Sequence, residues 1–260
     1  MHGLGNDFVV FDAREEPVGI DAARARAIAD RKTGIGCDQV IVLEPSDVAD
    51  LRMRIFNADG GEVEACGNAA RCVALLADGA ARIETAGGII AASPAAGGAS
   101  VEMGAPRFGW DEIPLAYPID TAAMPVGWEE LSEPFAVNVG NPHVVFFVAD
   151  ADAVNLARLG PAIETDPLFP RRINVNVASV EQGSITLRVW ERGAGLTRAC
   201  GTGACATAVA AIARRLVQSP VEVRLPGGTL GIAWTPGEPI RMSGPATYVF
   251  SGEIALEAFG

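Results

Sequence analysis

An internal repeat constrains this chain more than any other feature. Ala65-Cys66-Gly67-Asn68 recurs as Ala199-Cys200-Gly201-Thr202, and residues 54–71 align without a gap on residues 188–205 at an offset of 134. In that alignment Arg54 meets Arg188, Phe56 meets Trp190, Gly61 meets Gly195 and Cys66 meets Cys200. Earlier, Gly5-Asn6-Asp7-Phe8-Val9-Val10-Phe11 recurs as Gly140-Asn141-Pro142-His143-Val144-Val145-Phe146 at offset 135. The same offset sets Gln39-Val40 against Asn174-Val175. Three separated matches at nearly one offset point to two copies of one unit, each with a cysteine at a helix start. A chain of 260 residues, 49% of them hydrophobic, can supply a core to each.

Composition narrows the chemistry. A formal charge of −12 argues against a nucleic-acid backbone or an anionic membrane as partner and leaves small zwitterions and cations open. No apolar run approaches the roughly 18 residues of a membrane span, and the N-terminus has no secretory leader pattern, so a cytoplasmic protein is expected. Five cysteines (37, 66, 72, 200, 205) form an odd set without C-x-x-C spacing, which fits reduced thiols rather than disulfides or zinc. His2 and His143 are too few for a histidine-based metal site, so no metal is expected. Lys32, the only lysine, is a poor basis for Schiff-base chemistry with pyridoxal phosphate, and no cofactor is expected.

Along the chain, Asp7–Phe11, Val40–Leu43 and Leu51–Asn57 read as strands, with an Asp21-capped helix between the first two that ends before Gly34. A helix is predicted from Asn68 to Asp78, closed by Gly79, with Cys72 in its core face; Cys37 also reads as a small core residue. Strand pieces follow at Arg82–Thr85, Gly88–Ala92 and Ser100–Met103. The prolines at 106, 114, 118, 125 and 134 mark a connection, with the boundary set at Pro118. The second copy resumes at Phe135, continues through strands Ile173–Val177 and Ile185–Trp190, and reaches a helix from Gly203 to Leu216. Four short strands then end near Phe250.

A thiol at a helix N-terminus meets unpaired N–H groups and the favourable end of the dipole, which are expected to lower its pKa toward neutrality. The same N–H groups can hold a carboxylate, and Gly67 and Gly201 let a ligand approach. Two such ends on one cleft would place a sulfur on each side of a substrate's α-carbon, one taking the proton and the other delivering one, with N–H donors stabilising the enediolate. The copies differ where Asn57-Ala58 meets Glu191-Arg192: Glu191 suits an ammonium and Arg192 a forked carboxylate contact. The recurrence of Asn6 as Asn141 marks both as site candidates. Other readings stay open: two small core residues beginning homologous helices, a thiol redox sensor, or a binding module without catalysis.

The motifs together resemble the diaminopimelate epimerase family, pyridoxal-independent enzymes interconverting LL- and meso-diaminopimelate in lysine and peptidoglycan precursor biosynthesis. The resemblance spans the chain: residues 2–8 (HGLGNDF), Gly36-Cys37-Asp38-Gln39, residues 56–60 (FNADG), Ala65-Cys66-Gly67-Asn68 with Arg71-Cys72, Gly140-Asn141-Pro142-His143, residues 172–175 (RINV), 191–195 (ERGAG) and 199–203 (ACGTG). It implies an α+β fold of two pseudo-symmetric domains, each a mixed β-sheet rolled into a barrel around a central helix. The expected domains are 1–118 and 119–245, with a strand in 246–260 returning to the first. It implies Cys66 and Cys200 as the reacting pair, supported by His143 and Glu191, and Gly67, Asn68, Gly201 and Thr202 as carboxylate sites. Asn6, Gln39, Asn57, Asn141 and Asn174 become substrate-contacting amides, and Glu191-Arg192 reads the distal amino-acid group. A homodimer acting on a small molecule is implied, without nucleic acid or membrane. Other racemases of this fold, acting on proline, hydroxyproline or histidine, are the nearest alternative. Three departures stand out: a start at Met1-His2 without the usual preceding strand residues, which points to a shortened edge or a misplaced start; Cys37 where an aromatic is common; and Phe250 where a tyrosine is common near the dimer contact.

Overall fold

Residues 6–12 (NDFVVFD) and 39–44 (QVIVLE) are rich in β-branched and aromatic side chains, and they pair as parallel strands with Phe8 opposite Gln39. Adding the repeat offset of 135 to both numbers gives His143 opposite Asn174, the register of the equivalent pair in the second copy. The next pairing repeats as well: Val40 faces Phe56, and Val175 faces Trp190. The repeat is therefore one of hydrogen-bond register as well as of sequence. The computed structural model describes residues 1–260 except Ala65 and Asp78, and the chain divides into a unit of 1–102 with 243–260 and a unit of 103–242.

In the first unit β1 (His2–Gly3), β2 (Asn6–Asp12), β3 (Gln39–Glu44), β4 (Leu51–Asn57), β5 (Ala81–Thr85), β6 (Gly88–Ala95) and β7 (Gly98–Glu102) follow one another in the sheet. β2–β3 and β4–β5 are parallel and the remaining pairs antiparallel, so the sheet is mixed. Helix α1 (Ala22–Ala29) starts where Asp21 accepts from the amides of Ala23 and Arg24, the expected cap. Helix α2 (Gly67–Ala74) packs on β1, β6 and β7 and is buried from Asn68 to Ala74. It stops at Ala74, short of the expected Asp78, which lies outside the described residues.

The second unit opens with a hairpin, β8 (Gly127–Trp128) and β9 (Leu131–Ser132). Its sheet runs β10 (Phe135–Asn138), β11 (Pro142–Phe147), β12 (Asn174–Glu181), β13 (Ser184–Glu191), then β15 (Val221–Leu225) and β16 (Gly228–Ala233), with β14 (Gly195–Thr197) also on β13. Helix α3 (Leu156–Glu164), capped by Asn155, was not expected from the sequence because Gly160 and Pro161 interrupt its apolar pattern. Helix α4 (Gly201–Ala213) begins two residues ahead of the expected Gly203 and ends at Ala213, before Leu216. Its sequence GTGACATAVAAIA has no charged face, and Gly203 through Ala211 are all buried against β10, β11, β12, β13, β15 and β16. A helix apolar all round belongs at the centre of a unit.

Two boundaries differ from expectation. The break falls after Glu102 and not at Pro118, because Met103 N–H donates to Ile240, Ile240 N–H to Gly104, and Arg107 pairs with Asn138. The return comes at Ser243, within β17 (Arg241–Gly244), and not after residue 245. The returning segment is no strand at 246–260: it makes a single bridge, Thr247 to His2, and ends in a 3-10 turn at Leu256–Phe259. The expected last strand near Phe250 does not form.

Candidate active site

Each unit starts its buried helix on a cysteine in extended conformation, Cys66 at φ −144°, ψ 112° and Cys200 at φ −133°, ψ 108°. Extended backbone at the cap turns the following amides along the helix axis and leaves the first turn of N–H groups without intrahelical partners. Cys37, Cys72 and Cys205 are buried in the cores, as small hydrophobes; burial pushes Cys37 up and Cys72 to about 11. The expected burial of Cys37 and Cys72 holds, and Cys205 joins them.

In the first unit the half-buried Cys66 Sγ lies 3.9 Å from Asn6 Oδ1, which also accepts from Asn68 Nδ2 at 3.3 Å. Asn6 Nδ2 donates to Asp38 Oδ2 at 3.0 Å; a carboxylate only accepts, so the amide is held with its oxygen toward the thiol. Asp38 is held in turn by Arg31, which also forks onto Asp7. Beneath the helix Arg71, fully buried, donates to Asn68 Oδ1 at 2.8 Å and to the Pro245 carbonyl at 3.4 Å. Gln39 Nε2 donates to Asn57 Oδ1 at 2.9 Å, and Gln39 Oε1 is buried without a hydrogen-bond partner among the described residues. Asn6, Gln39, Asn57, Cys66, Gly67 and Asn68 thus sit at one end of β2, β3, β4 and α2.

In the second unit Cys200 Sγ accepts from Gly203 N–H at 3.3 Å and lies 3.5 Å from Thr202 Oγ1. Its pKa is nevertheless pushed well above the ordinary thiol value, first by burial and then by the neighbouring Glu191 carboxylate, against the contacts from Thr202 and Gly203. The expected lowering is therefore reversed at Cys200: lost hydration and a like charge outweigh the helix end, and the group is a protonated thiol. Glu191 stands beside this thiol. Arg192 is exposed; its N–H donates to Asn174 Oδ1 at 2.9 Å and its guanidinium to the Arg171 carbonyl at 3.0 Å. Asn174 Nδ2 donates to the Pro142 carbonyl at 2.8 Å.

His143 is fully buried with both ring nitrogens occupied. Nε2 lies 2.8 Å from Asn141 Oδ1 and Nδ1 3.1 Å from Asn176 Nδ2. Burial depresses its pKa to about 3, so it is neutral. Both ring nitrogens are thus engaged within the protein, one of them with Asn141. Among the buried polar residues that the sequence did not single out, two bear on this geometry. Asn176 lies on the face of β12 that carries Asn174, and two asparagines two residues apart in an apolar strand are a signal for a polar face. Glu164 is buried, accepts from Trp190 Nε1 at 2.7 Å and from Gly193 N–H at 3.0 Å, and braces the loop that carries Glu191 and Arg192. No signal marked it.

Among the described residues no cluster of three or more His, Cys, Asp or Glu could hold a metal ion, and Lys32 is exposed in the turn after α1. No helix of the described residues is long and apolar enough to cross a membrane.

A family model described as diaminopimelate epimerase matches residues 1–109 and 135–249. A diaminopimelate epimerase of Rhizorhabdus wittichii is 70% identical over 262 residues, covering 100% of this chain and 96% of the relative. Among solved structures, a Bacillus anthracis phenazine biosynthesis protein of the PhzF family superposes with a TM-score of 0.68 at 18% identity, over 98% of this chain and 95% of that one. A probable proline racemase of Agrobacterium radiobacter gives a TM-score of 0.65 at 17% identity, over 100% and 94%. These two likenesses are of fold, and the fold is the expected α+β arrangement of two like units.

Proposed function

The chain belongs to the diaminopimelate epimerase family, and from that premise we propose that it interconverts LL- and meso-diaminopimelate by thiol-mediated proton transfer, without a cofactor. The observation that carries the reading is the pair of buried helices, each begun by a cysteine at the same position of the repeat. In one direction the Cys66 thiolate takes the α-proton and the Cys200 thiol delivers its own to the opposite face. In the other, from the state this leaves, the Cys200 thiolate beside Glu191 takes the α-proton and the Cys66 thiol delivers its own to the opposite face. Backbone N–H groups of Gly67, Asn68, Gly201 and Thr202 hold the carboxylate at the reacting centre and stabilise the enediolate. Asn6, Gln39, Asn57, Asn141 and Asn174 contact the substrate, and Arg192 binds its distal carboxylate. The step serves lysine and peptidoglycan precursor biosynthesis in the cytoplasm.

A second copy of the chain is the proposed partner, with neither nucleic acid nor membrane involved. Tyr248, Val249 and Phe250 are 54%, 56% and 70% exposed. They line, with Asp7–Asp12 of β2, a mostly apolar cavity of about 500 Å³. An exposed apolar strip of this kind favours burial against another surface.

The experiment is epimerisation of LL-diaminopimelate in deuterated water by protein treated with chelator and hydroxylamine. Early meso product should carry deuterium at the inverted carbon while remaining LL isomer stays unlabelled, and Cys66→Ala or Cys200→Ala should abolish inversion. Early product dominated by unlabelled molecules, or racemisation of proline with diaminopimelate untouched, overturns the reading.

A further inference from the structure

Homologous asparagines in the two units present opposite ends of their amides. Asn6 donates Nδ2 to Asp38 and turns its oxygen toward Cys66. For Asn141 the orientation follows from a buried chain of contacts. Asn176 Nδ2 lies 2.9 Å from the Val144 carbonyl, which only accepts, so this end of Asn176 is the NH2 group. The same NH2 group lies 3.1 Å from His143 Nδ1 and 3.5 Å from the Asn174 carbonyl; an NH2 group accepts nothing, so Nδ1 is the acceptor of the pair. A neutral ring accepting at Nδ1 carries its proton on Nε2, and that N–H donates to Asn141 Oδ1. The Asn141 oxygen is thereby tied inward, and its NH2 end faces away from the ring.

We propose that Asn176 is a positioning residue that fixes the tautomer of His143 and, through it, presents Asn141 as a hydrogen-bond donor. The proposal rests on the reading of Asn141 as a substrate-contacting amide. The first copy supports it by contrast. The residues equivalent to His143 and Asn176 at offset 135 are Phe8 and Ile41, so that unit has no such chain and holds its asparagine by Asp38 instead. Space was also made for Asn176: an added Cβ on Gly203 would lie 2.8 Å from Asn176 Oδ1, while the equivalent position facing Ile41's unit is Ala69.

The test combines histidine 15N NMR with kinetics. Because the chain has only His2 and His143, two ring systems are observed. In the parent protein His143 should show an Nε2–H tautomer with no titration between about pH 5 and 8. Asn176→Ile should mix the tautomers and lower kcat/KM for diaminopimelate on the order of 10-fold or more, with an unchanged thermal transition as the control for folding. His143→Gln, which keeps an acceptor and a donor in line, should retain most of the activity that His143→Phe loses, and it serves equally if the Asn176 variant fails to fold. An Nδ1–H tautomer, titration of His143 near neutrality, or a mixed tautomer with unaltered kcat/KM overturns the proposal. The NMR result stands whether or not diaminopimelate is the substrate, so failure of the functional reading is distinguishable from failure of the relay.

Discussion

The two units keep one register and reach the same end by different polar devices. In the first, Asn6 is held from the outer side by an exposed cluster of Asp7, Arg31 and Asp38, and the helix is braced from below by a buried arginine. In the second, the positions equivalent to Asp7, Asp38 and Arg71 are Pro142, Ile173 and Cys205, and the polar support is neutral and fully buried, His143 with Asn176. A charged clamp in water is weakened by salt and costs little to build; a neutral chain in the core is insensitive to salt but intolerant of a single missing partner. Duplication thus preserved the backbone and let the supporting chemistry diverge.

Exchanging devices between the units should break this comparison most severely at Arg71. Arg71→Cys, which gives the first unit the second unit's residue, removes a large buried side chain and leaves Asn68 Oδ1 without its donor. A loss of roughly 3–5 kcal/mol of unfolding free energy is expected by denaturant titration, against less than about 1.5 kcal/mol for Cys205→Ala. Equal costs would mean that Arg71 is not the brace.

A smaller effect should follow two positions earlier in the repeat. Gly203→Ala places a methyl 2.8 Å from Asn176 Oδ1 and 3.3 Å from Cys200 Cβ. Overpacking of this kind typically costs about 1–3 kcal/mol, whereas Ala69→Gly in the first unit should cost only about 0.5–1 kcal/mol through helix propensity. Thermal unfolding of both variants checks the ratio.

The double change His143→Phe with Asn176→Ile imposes the first unit's pattern on the second and tests pH dependence. Folded His143 has its pKa lowered to about 3 from the usual 6.5, so the unfolded chain binds the proton first as pH falls. Stability from this residue therefore declines below pH 6.5 and continues to decline toward the folded value. Between pH 6.5 and about 5 the double variant should lose less stability than the parent; parallel slopes would show that His143 is not held neutral.

Smallest should be Asp38→Asn. The exposed pairs around Arg31 contribute on the order of 0.2–1 kcal/mol, so melting should barely move. Yet a carboxamide no longer forces Asn6 to turn its oxygen inward, and kcat/KM should fall several-fold. Loss of stability without loss of kcat/KM would reverse the roles assigned to this cluster.

What could be read from sequence was whatever the repeat and local chemistry specify. The helix starts at Cys66 and Cys200, the Asp21 cap and the equivalence of Asn6 with Asn141 all depend on neighbours in the chain. The protonated state of Cys200 does not: it comes from burial under a sheet and from Glu191, which reaches it through the fold. Glu164 was illegible for the same reason, since its donors, Trp190 and Gly193, belong to elements remote in sequence. The 3-10 turn at Leu256–Phe259 escaped because the segment carries strand-like residues but finds only one bridge.

The late return of the chain has a consequence for synthesis. Residues 103–242 are one uninterrupted stretch, so the unit holding Cys200 can complete its fold as soon as it leaves the ribosome. The unit holding Cys66 begins first and finishes last: Thr247 supplies the bridge to His2, and Pro245 the carbonyl that Arg71 donates to beneath the Cys66 helix. A chain interrupted near residue 242 would have the Cys200 helix seated in its unit and the Cys66 helix unbraced. Translation past Thr247 is thereby required before the brace beneath the Cys66 helix is complete.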